Sequence, residues 1–177
     1  MILLTGGTGF LGAHIAAHLI EQGEEFILLA RSKQGLSAAD RVGRLLDWLG
    51  VAAGRRKNIR LVEGRLELPG LGLGPDALAS ISREIEEVVH CASNTSFAER
   101  KRAEVEAINL DGLRHVLDLA ERSRCRRFHL ISTAYVAGLN SGLCAEELVR
   151  PAAFTNVYEE TKCRAEWLAS ERCAKAG

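Results

Sequence analysis

The sequence has no excess of charge of either sign and no long apolar run. Its 177 residues carry 23 basic and 23 acidic side chains, a formal net charge of zero. Proteins that bind nucleic acids or anionic membrane surfaces need a basic excess to meet phosphates, so this balance argues against both classes. No apolar stretch approaches the roughly 20 residues of a transmembrane helix, and no basic segment opens the chain as in a signal peptide. We therefore expect a cytoplasmic protein with no membrane span and no nucleic-acid partner.

Paired cysteines and clusters of metal ligands are also missing. The five cysteines are scattered, odd in number and without a C-x-x-C pair. This pattern predicts free thiols in a reducing compartment and argues against a disulfide framework or a zinc site. His14 and His18 lie four residues apart, but no third ligand accompanies them. We therefore predict no metal site.

The chain does have a regular alternation of short apolar runs and helical periodicity. These patterns predict strands at 2–4, 26–30, 59–62, 88–91 and 128–132, and helices at 10–22, 37–49, 76–87, 99–123 and 157–175. Strands that alternate with helices imply a parallel sheet with right-handed crossovers. The predicted fold is α/β, a Rossmann-type doubly wound parallel sheet of about five strands in the order 3-2-1-4-5, with helices on both faces.

A glycine-rich segment follows the first predicted strand and opens the first predicted helix. Its glycines form a G-x-x-G-x-x-G pattern. Glycines let the backbone turn tightly and approach a pyrophosphate, while the helix N-terminus offers free N–H groups to the anion. An ordinary tight turn is the alternative. The nucleotide-binding residues predicted in this segment are Thr5, Gly6, Gly7, Thr8, Gly9, Phe10, Leu11 and Gly12.

The end of the second predicted strand indicates which nucleotide is bound. NAD-binding folds usually place an acidic residue about 20 residues beyond the glycine loop, where it binds the ribose 2′-hydroxyl. Here the strand ends in Arg31, Ser32 and Lys33. A guanidinium, a hydroxyl and an ammonium would attract a 2′-phosphate, so we expect NADPH (NADP) as the cofactor. The alternative is that the two cations are solvated loop charges.

Three side chains near the end of the chain form a candidate catalytic set. Tyr158 and Lys162 are four residues apart, so a helix would place both on one face. An ammonium near a phenol favours the phenolate, which suits the phenol to proton transfer near neutral pH. Thr133 follows the fifth predicted strand, at the sheet edge where doubly wound folds bind substrate. Ser132 is the alternative hydroxyl.

This combination of motifs resembles the short-chain dehydrogenase/reductases, and within them the extended class. The resemblance implies a catalytic triad of Thr133, Tyr158 and Lys162, with Lys162 also binding the nicotinamide ribose. It implies a structural and proton-relay role for Asn109, which stands in an N-x-x-G pattern with Gly112. The family also has an alanine-rich segment that lines the adenosine ribose. That segment is matched here by Cys91, Ala92 and Ser93.

One motif departs from the family pattern. After the third strand the family usually has Gly-Asp-Leu, whose aspartate meets the adenine amino group, whereas this chain has Gly64-Arg65-Leu66. An arginine cannot accept that hydrogen bond. We expect Arg65 and Leu66 to contact the cofactor in another way, with Arg65 stacked on adenine or paired with a phosphate. The alternative is that adenine is bound less specifically.

Finer details resemble the fatty acyl-CoA reductase, or thioester reductase, branch of the family, of the male sterility type. They include LLTGGTGFLG, LLAR, STAYVAG and NVYEETKCRAE. The resemblance implies an NADPH-dependent oxidoreductase that reduces an acyl thioester, on coenzyme A or a carrier protein, to an aldehyde or alcohol. It also implies a homodimer.

Two other functions stay open at this point. A sugar-nucleotide epimerase or dehydratase of the same extended class would share the triad but would usually carry the acidic residue after strand two. A non-catalytic NADP(H)-binding module is the other alternative, because the chain stops about 15 residues after Lys162. We expect residues 1–177 to form an NAD(P)-binding Rossmann domain, the N-terminal part of a longer reductase without its C-terminal substrate subdomain.

Overall fold

The computed structural model describes residues 1–176 and contains one parallel β-sheet. Its strands pair in the order β3-β2-β1-β4-β5, and every pairing is parallel. The predicted sheet and strand order are therefore confirmed. The strands are β1 Ile2–Thr5, β2 Phe26–Ala30, β3 Ile59–Glu63, β4 Glu87–His90 and β5 Arg127–Leu130.

Helices connect successive strands. The α-helices are α1 Phe10–Gln22, α2 Ala38–Trp48, α3 Pro75–Ser82, α4 Arg102–Glu106, α5 Gly112–Glu121 and α6 Val157–Ala176. Short 3-10 helices lie at Ala53–Asn58, Pro69–Gly72, Glu99–Lys101 and Ala134–Ala137. Among residues 1–176, no helix is both long enough and apolar enough to cross a bilayer.

Two of the predicted helices differ from the structure. The helix predicted over 99–123 is divided by a wide π-helical turn at Ala107–Asp111, which separates α4 from α5. The helix predicted over 76–87 covers Pro75–Ser82 instead, since its cap is Gly74 with no side-chain bond and its predicted end, Glu87, is the first residue of β4. Proline fits the first helical position because its missing N–H would have no partner there.

The core lies on both faces of the sheet, as predicted. Alternate residues of a strand point to opposite faces, and β1 shows this clearly. Leu3 packs with Ile81, Val88 and Val116 on the face covered by α3 and α5. Its neighbour Leu4 belongs to a second cluster that α1 and α2 cover, formed with residues such as Ala16, Ile20, Leu28, Val42 and Leu46.

A third, smaller cluster fixes α6 against the rest of the fold. Ala165 of α6 is buried against Leu110, Leu113 and Leu117 of the preceding helical segment. Because the five strands are parallel, their carboxyl ends share one edge of the sheet. The segments that follow β1, β2, β4 and β5 therefore meet at that edge, where doubly wound folds bind their ligands.

Candidate active site

The glycine loop after β1 is held by close backbone contacts. Gly6 has a φ of +75°, and the Gly9 N–H donates to its carbonyl oxygen at 2.9 Å. A Cβ atom on Gly6 would lie 2.5 Å from the backbone nitrogen of Ala92, and one on Gly12 would lie 2.3 Å from the Gly6 oxygen. No larger residue fits either position without moving backbone.

The start of α1 is open to an anion. Gly9 caps the helix without a side-chain hydrogen bond, and the first turn contains no acidic residue. The first N–H groups of a helix have no partner within it, and the helix dipole favours negative charge there. The loop therefore has the geometry and the charge to bind a phosphate group.

A cavity of about 260 Å³ lies beside this loop, between the ends of β2, β3 and β4. It is lined by Gly6, Thr8, Gly9, Leu29, Ala30, Arg31, Lys33, Arg41, Gly64, Leu66, Glu67, Cys91, Ala92, Ser93 and Ile108. Nine of the predicted cofactor residues are in this set. They are Gly6, Thr8, Gly9, Arg31, Lys33, Leu66, Cys91, Ala92 and Ser93.

The other predicted cofactor residues do not line this cavity. Thr5 is buried behind the loop, and its hydroxyl lies 2.9 Å from Nδ1 of His90. Phe10 and Leu11 are exposed on α1, where the Phe10 ring contacts His14. Gly7, Gly12, Ser32, Arg65 and Lys162 also lie outside the lining.

Basic side chains are concentrated at the β2 end of the cavity. Arg31 and Lys33 follow β2, and Arg41 reaches the same place from α2. Arg41 donates to the Arg31 carbonyl oxygen and, at 3.0 Å, to Oγ1 of Thr8. Burial and the nearby Arg31 charge lower the pKa of Arg41. The guanidinium thus ties α2 to the glycine loop while adding positive charge to the cavity.

A carboxylate enters the same end of the cavity from the segment after β3. Oε1 of Glu67 accepts from Arg65 at 2.9 and 2.7 Å and lies 3.6 Å from Nη1 of Arg31. Oε2 is buried and has no hydrogen-bond partner among the described residues. Burial raises the pKa of Glu67, but its backbone N–H, Arg65 and Arg31 together outweigh burial and hold that pKa below the usual range.

The three predicted triad residues lie at the carboxyl end of β5. Lys162 is only 4% exposed, and its Nζ donates to the Ile131 carbonyl oxygen at 2.6 Å. Tyr158 precedes it by one turn of α6. Thr133 caps the short helix after β5, where its Oγ1 accepts from the Tyr135 N–H at 3.3 Å. Next to it, the Ser132 hydroxyl is buried without a partner among the described residues.

Burial controls the charge balance around Lys162. Burial lowers the pKa of Lys162, while Glu166 and Cys91 act in the opposite direction. His90, at the end of β4, is fully buried, and burial together with the Lys162 charge lowers its pKa to about 3. His90 is therefore neutral at physiological pH. Of these two side chains, only Lys162 carries a positive charge.

Asn109 connects the segment after β4 to α6. Its amide lies in the wide turn, is buried, and makes four hydrogen bonds. Oδ1 accepts from the Ser93 hydroxyl at 3.1 Å and from the Asn94 N–H at 2.7 Å. Nδ2 donates to the Asn94 carbonyl at 3.1 Å and to the Thr161 hydroxyl at 3.0 Å. Asn109 therefore links the cavity lining to the residue beside Lys162.

Phe97 and Tyr135 form an aromatic cluster with Tyr158 of the predicted triad. The Phe97 ring stacks on Tyr158 at a centroid distance of 5.6 Å and meets Tyr135 edge-on at 6.1 Å. Phe97 and Tyr135 are 53% and 57% exposed, so this surface is open to solvent. Within residues 1–176, no group of three or more His, Cys, Asp or Glu side chains could hold a metal ion.

Comparisons with known proteins show the family to which the chain belongs. An NAD-binding family model described as male sterility protein matches residues 4–177. The chain belongs to the male sterility family. This confirms the predicted extended short-chain dehydrogenase/reductase family and its thioester reductase branch.

Individual male sterility relatives show how much of a longer protein this chain matches. It is 32% identical over 128 residues to the fatty acyl-CoA reductase wat of Drosophila melanogaster, covering 68% of this chain and 25% of that protein. It is 30% identical to the isonitrile lipopeptide synthase of Streptomyces coeruleorubidus, covering 99% of this chain and 12% of that protein. The chain thus spans a quarter or less of these relatives' length.

A solved structure gives the same family assignment. The terminal R domain from the myxalamid PKS-NRPS biosynthetic pathway superposes with a TM-score of 0.87 at 30% identity. The match covers 99% of this chain and 45% of that one. The shared fold therefore extends over essentially all of this chain, which spans less than half of that solved domain.

The sequence prediction for this male sterility domain omitted three residues that the structure brings to the site. Arg41 and Glu67 line the cavity, and Phe97 stacks on Tyr158. Arg41 and Phe97 are distant along the chain from the side chains they contact. Glu67 is distant from Arg31 but bonds Arg65, which lies two residues away. The nearby Arg65 is a local signal for that bond and not for the contact with Arg31.

Proposed function

We propose that this protein reduces an acyl thioester, carried on coenzyme A or a carrier protein, to an aldehyde or alcohol with NADPH. The observation that carries the proposal is the placement of Lys162. Its ammonium is buried and held on the Ile131 carbonyl at the end of β5, one helical turn after Tyr158. That arrangement suits a phenol that must give up a proton and be left as phenolate.

The residues present fit a dinucleotide cofactor. The glycine loop leaves space that a Cβ atom would fill, and the N-terminus of α1 offers unpaired donors to a pyrophosphate. Ser93 and Ala92 would lie along the adenosine ribose. Arg31, Lys33 and Arg41 give the cavity three cations near the position expected for a 2′-phosphate, which supports NADPH.

A bound reduced nicotinamide would supply the hydride for the carbonyl carbon. Thr133 and Tyr158 then hydrogen-bond the carbonyl oxygen, and Tyr158 supplies its proton. Because Oγ1 of Thr133 already accepts from a backbone N–H, its own O–H is free to donate to substrate. Lys162 stabilises the phenolate that remains, and its two further N–H groups are available to ribose hydroxyls. The resulting hemithioacetal loses its thiol when the C–S bond breaks, leaving an aldehyde.

Mixing the complete protein with acyl-CoA and NADPH tests this function. We expect loss of NADPH absorbance and formation of free thiol, and we expect Tyr158→Phe to lower turnover about a thousandfold while cofactor affinity stays unchanged. Phe keeps the ring packed on Phe97, so the variant removes only the hydroxyl.

Each other outcome of that assay contradicts the proposal in a different way. Cofactor binding without thioester consumption would favour a non-catalytic NADP(H)-binding module. Conversion of a sugar nucleotide without net loss of NADPH would favour an epimerase. Tighter binding of NADH than of NADPH would overturn the choice of cofactor, and full activity in Tyr158→Phe would overturn the triad.

A further inference from the structure

Glu67 is the carboxylate that lies among the cations of the cavity. Arg31 follows strand β2 without an acidic neighbour in the sequence, yet the segment after β3 brings Oε1 of Glu67 to 3.6 Å from Nη1 of Arg31. The side chain is only 17% exposed. The Arg31 side chain is 43% exposed, so water partly screens this charge pair and its expected effect is moderate.

The hydrogen bonding of Glu67 is unbalanced. Both bonds from Arg65 and the contact from Arg31 converge on Oε1, whereas Oε2 is buried without a partner among the described residues. A carboxylate oxygen shielded from water and left unbonded is unfavourable, because it has lost its solvation without compensation. A small rotation of the carboxylate would offer this oxygen to a donor in the cavity.

The two cofactor types differ at the group that would meet this carboxylate. A ribose 2′-hydroxyl can donate a hydrogen bond to Glu67, whereas a 2′-phosphate carries negative charge and has no donor when ionised. Arg31 can grip a phosphate with two hydrogen bonds, but Glu67 already neutralises part of its charge. Glu67 therefore opposes the effect of Arg31, Lys33 and Arg41.

We propose that Glu67 sets the ratio of affinities for NADPH and NADH and makes this protein only moderately selective for NADPH. The inference rests on the dinucleotide site of the proposed function, and it deepens that function by naming a specificity-determining residue. The three cations still favour the phosphorylated cofactor. The carboxylate reduces that preference and leaves NADH a usable ligand.

Adenosine 2′,5′-bisphosphate and AMP isolate this effect, since they differ only by the 2′-phosphate. Calorimetric titration of both ligands into the protein gives their affinity ratio without any turnover. We expect Glu67→Gln to raise the affinity for adenosine 2′,5′-bisphosphate about tenfold, and to leave AMP unchanged or slightly weaker, because one nearby negative charge is removed. The same variant should shift the ratio of Kd values for NADPH and NADH in the same direction.

Two further variants complete the test. Glu63→Gln makes the same change of charge on an exposed residue at the end of β3 outside the cavity, so its ratio should match the unmodified protein. Glu67→Asp keeps the charge but withdraws it by one methylene, so its ratio should be intermediate. This variant also covers the case in which Glu67→Gln does not fold.

The outcomes separate this inference from the proposed function. An unchanged ratio of affinities for adenosine 2′,5′-bisphosphate and AMP in Glu67→Gln would overturn the inference. Weaker binding of adenosine 2′,5′-bisphosphate to this variant would also overturn it, because it would show that Glu67 holds Arg31 in place. A shifted ratio in a protein that consumes no acyl thioester would uphold the role of Glu67 and contradict the function. Failure of the unmodified protein to bind either ligand would overturn the cofactor site and this inference together.

Discussion

Around the glycine loop, atomic positions follow from backbone contacts, whereas around Tyr158 they follow from side chains. Gly6 and Gly12 leave no space for a Cβ atom, so the loop has one arrangement that β1, β4 and α1 impose. Beside the triad, the same precision depends on a carbonyl bound to Lys162, four hydrogen bonds of Asn109 and the stacked ring of Phe97. We therefore expect single substitutions in the two regions to have different effects. Changes in the glycine loop should lower cofactor affinity, whereas changes around Tyr158 should lower stability or turnover.

The largest effect on cofactor affinity is expected from a change in the glycine loop. Gly12→Ala would place a Cβ atom 2.3 Å from the Gly6 oxygen, so the glycine loop must shift away from its phosphate-binding arrangement. We expect NADPH affinity to fall at least a hundredfold, because backbone cannot yield as a flexible side chain can. Titration by cofactor fluorescence measures this loss.

A matched control for this change is Gly43→Ala, at an α2 position with open space around the added Cβ atom. It should leave NADPH affinity unchanged and gain slightly in stability, since alanine favours a helix. Equal affinities for Gly12→Ala and the unmodified protein would show that backbone packing does not define the loop.

The next effect concerns the contact between the two regions. Asn109→Ala removes all four amide hydrogen bonds and leaves buried donors and acceptors unpaired on Ser93, Asn94 and Thr161. We expect a loss of about 3 kcal/mol in the free energy of unfolding. Chemical denaturation provides the measurement.

Asn109→Asp sharpens this test because its carboxylate can still accept from Ser93 and Asn94 but cannot donate when ionised. Its unfolding free energy should lie between those of Asn109→Ala and the unmodified protein if the individual bonds matter. A full loss in both variants would instead indicate that the two donated bonds dominate.

Acid should destabilise the fold through His90, which lies between the two regions. Its folded pKa of about 3 lies below the value of roughly 6.5 expected in the unfolded chain. The unfolded chain therefore binds the proton first as the pH falls, and the stability from this group is complete above the unfolded pKa. We expect it to decline by about 1.4 kcal/mol per pH unit from near pH 6.5 toward pH 3.

Denaturation curves at about pH 7, above the unfolded pKa, and at about pH 5, between the two pKa values, should differ by about 2 kcal/mol from this group alone. His90→Asn can keep a hydrogen bond to the Thr5 hydroxyl but does not titrate. The variant should show a shallower pH dependence. An identical slope in both proteins would assign the acid sensitivity to other groups.

The smallest effect is expected at the aromatic cluster. Phe97→Leu removes the ring stacked on Tyr158 while keeping an apolar side chain, so the phenol should lose about 1 kcal/mol of orienting contact. We expect turnover to fall several-fold, with little change in cofactor affinity. Steady-state kinetics measures the first quantity and equilibrium titration the second.

Phe97→Tyr keeps a stackable ring and should restore the turnover that Phe97→Leu loses. If both variants lower NADPH affinity instead, Phe97 contributes to cofactor binding. The cofactor region would then also depend on side-chain contacts and not only on backbone packing.

Local patterns in the sequence predict most of the fold and of the cofactor cavity. Helix α1 and strand β2 have the predicted bounds, because apolar periodicity and the C-capping Gly23 are local signals. The strand order follows from short right-handed connections. Like the contact between Gly6 and Gly12 in the glycine loop, these signals come from residues that are close in the sequence.

Side-chain contacts across the chain were not predictable in this way. Arg41 meets Thr8 across 33 residues of sequence, and Phe97 stacks on Tyr158 from a different connection. The wide turn at Ala107–Asp111 has no local marker either, because tertiary hydrogen bonds to Asn109 stabilise it. Such features depend on which elements meet, which a single local pattern does not encode.

The wide turn also has a consequence for the register of the helices on either side of it. Val105 and Leu113 are both buried, yet eight residues of α-helix would turn Leu113 roughly 80° away from Val105. A π-helical turn absorbs one residue, which reduces the offset to roughly 20° in the other direction. The chain thus carries one inserted residue, and the buried apolar faces of α4 and α5 still point in nearly the same direction. Deleting a residue here would leave both faces toward the core while displacing the amide that joins β4 to α6.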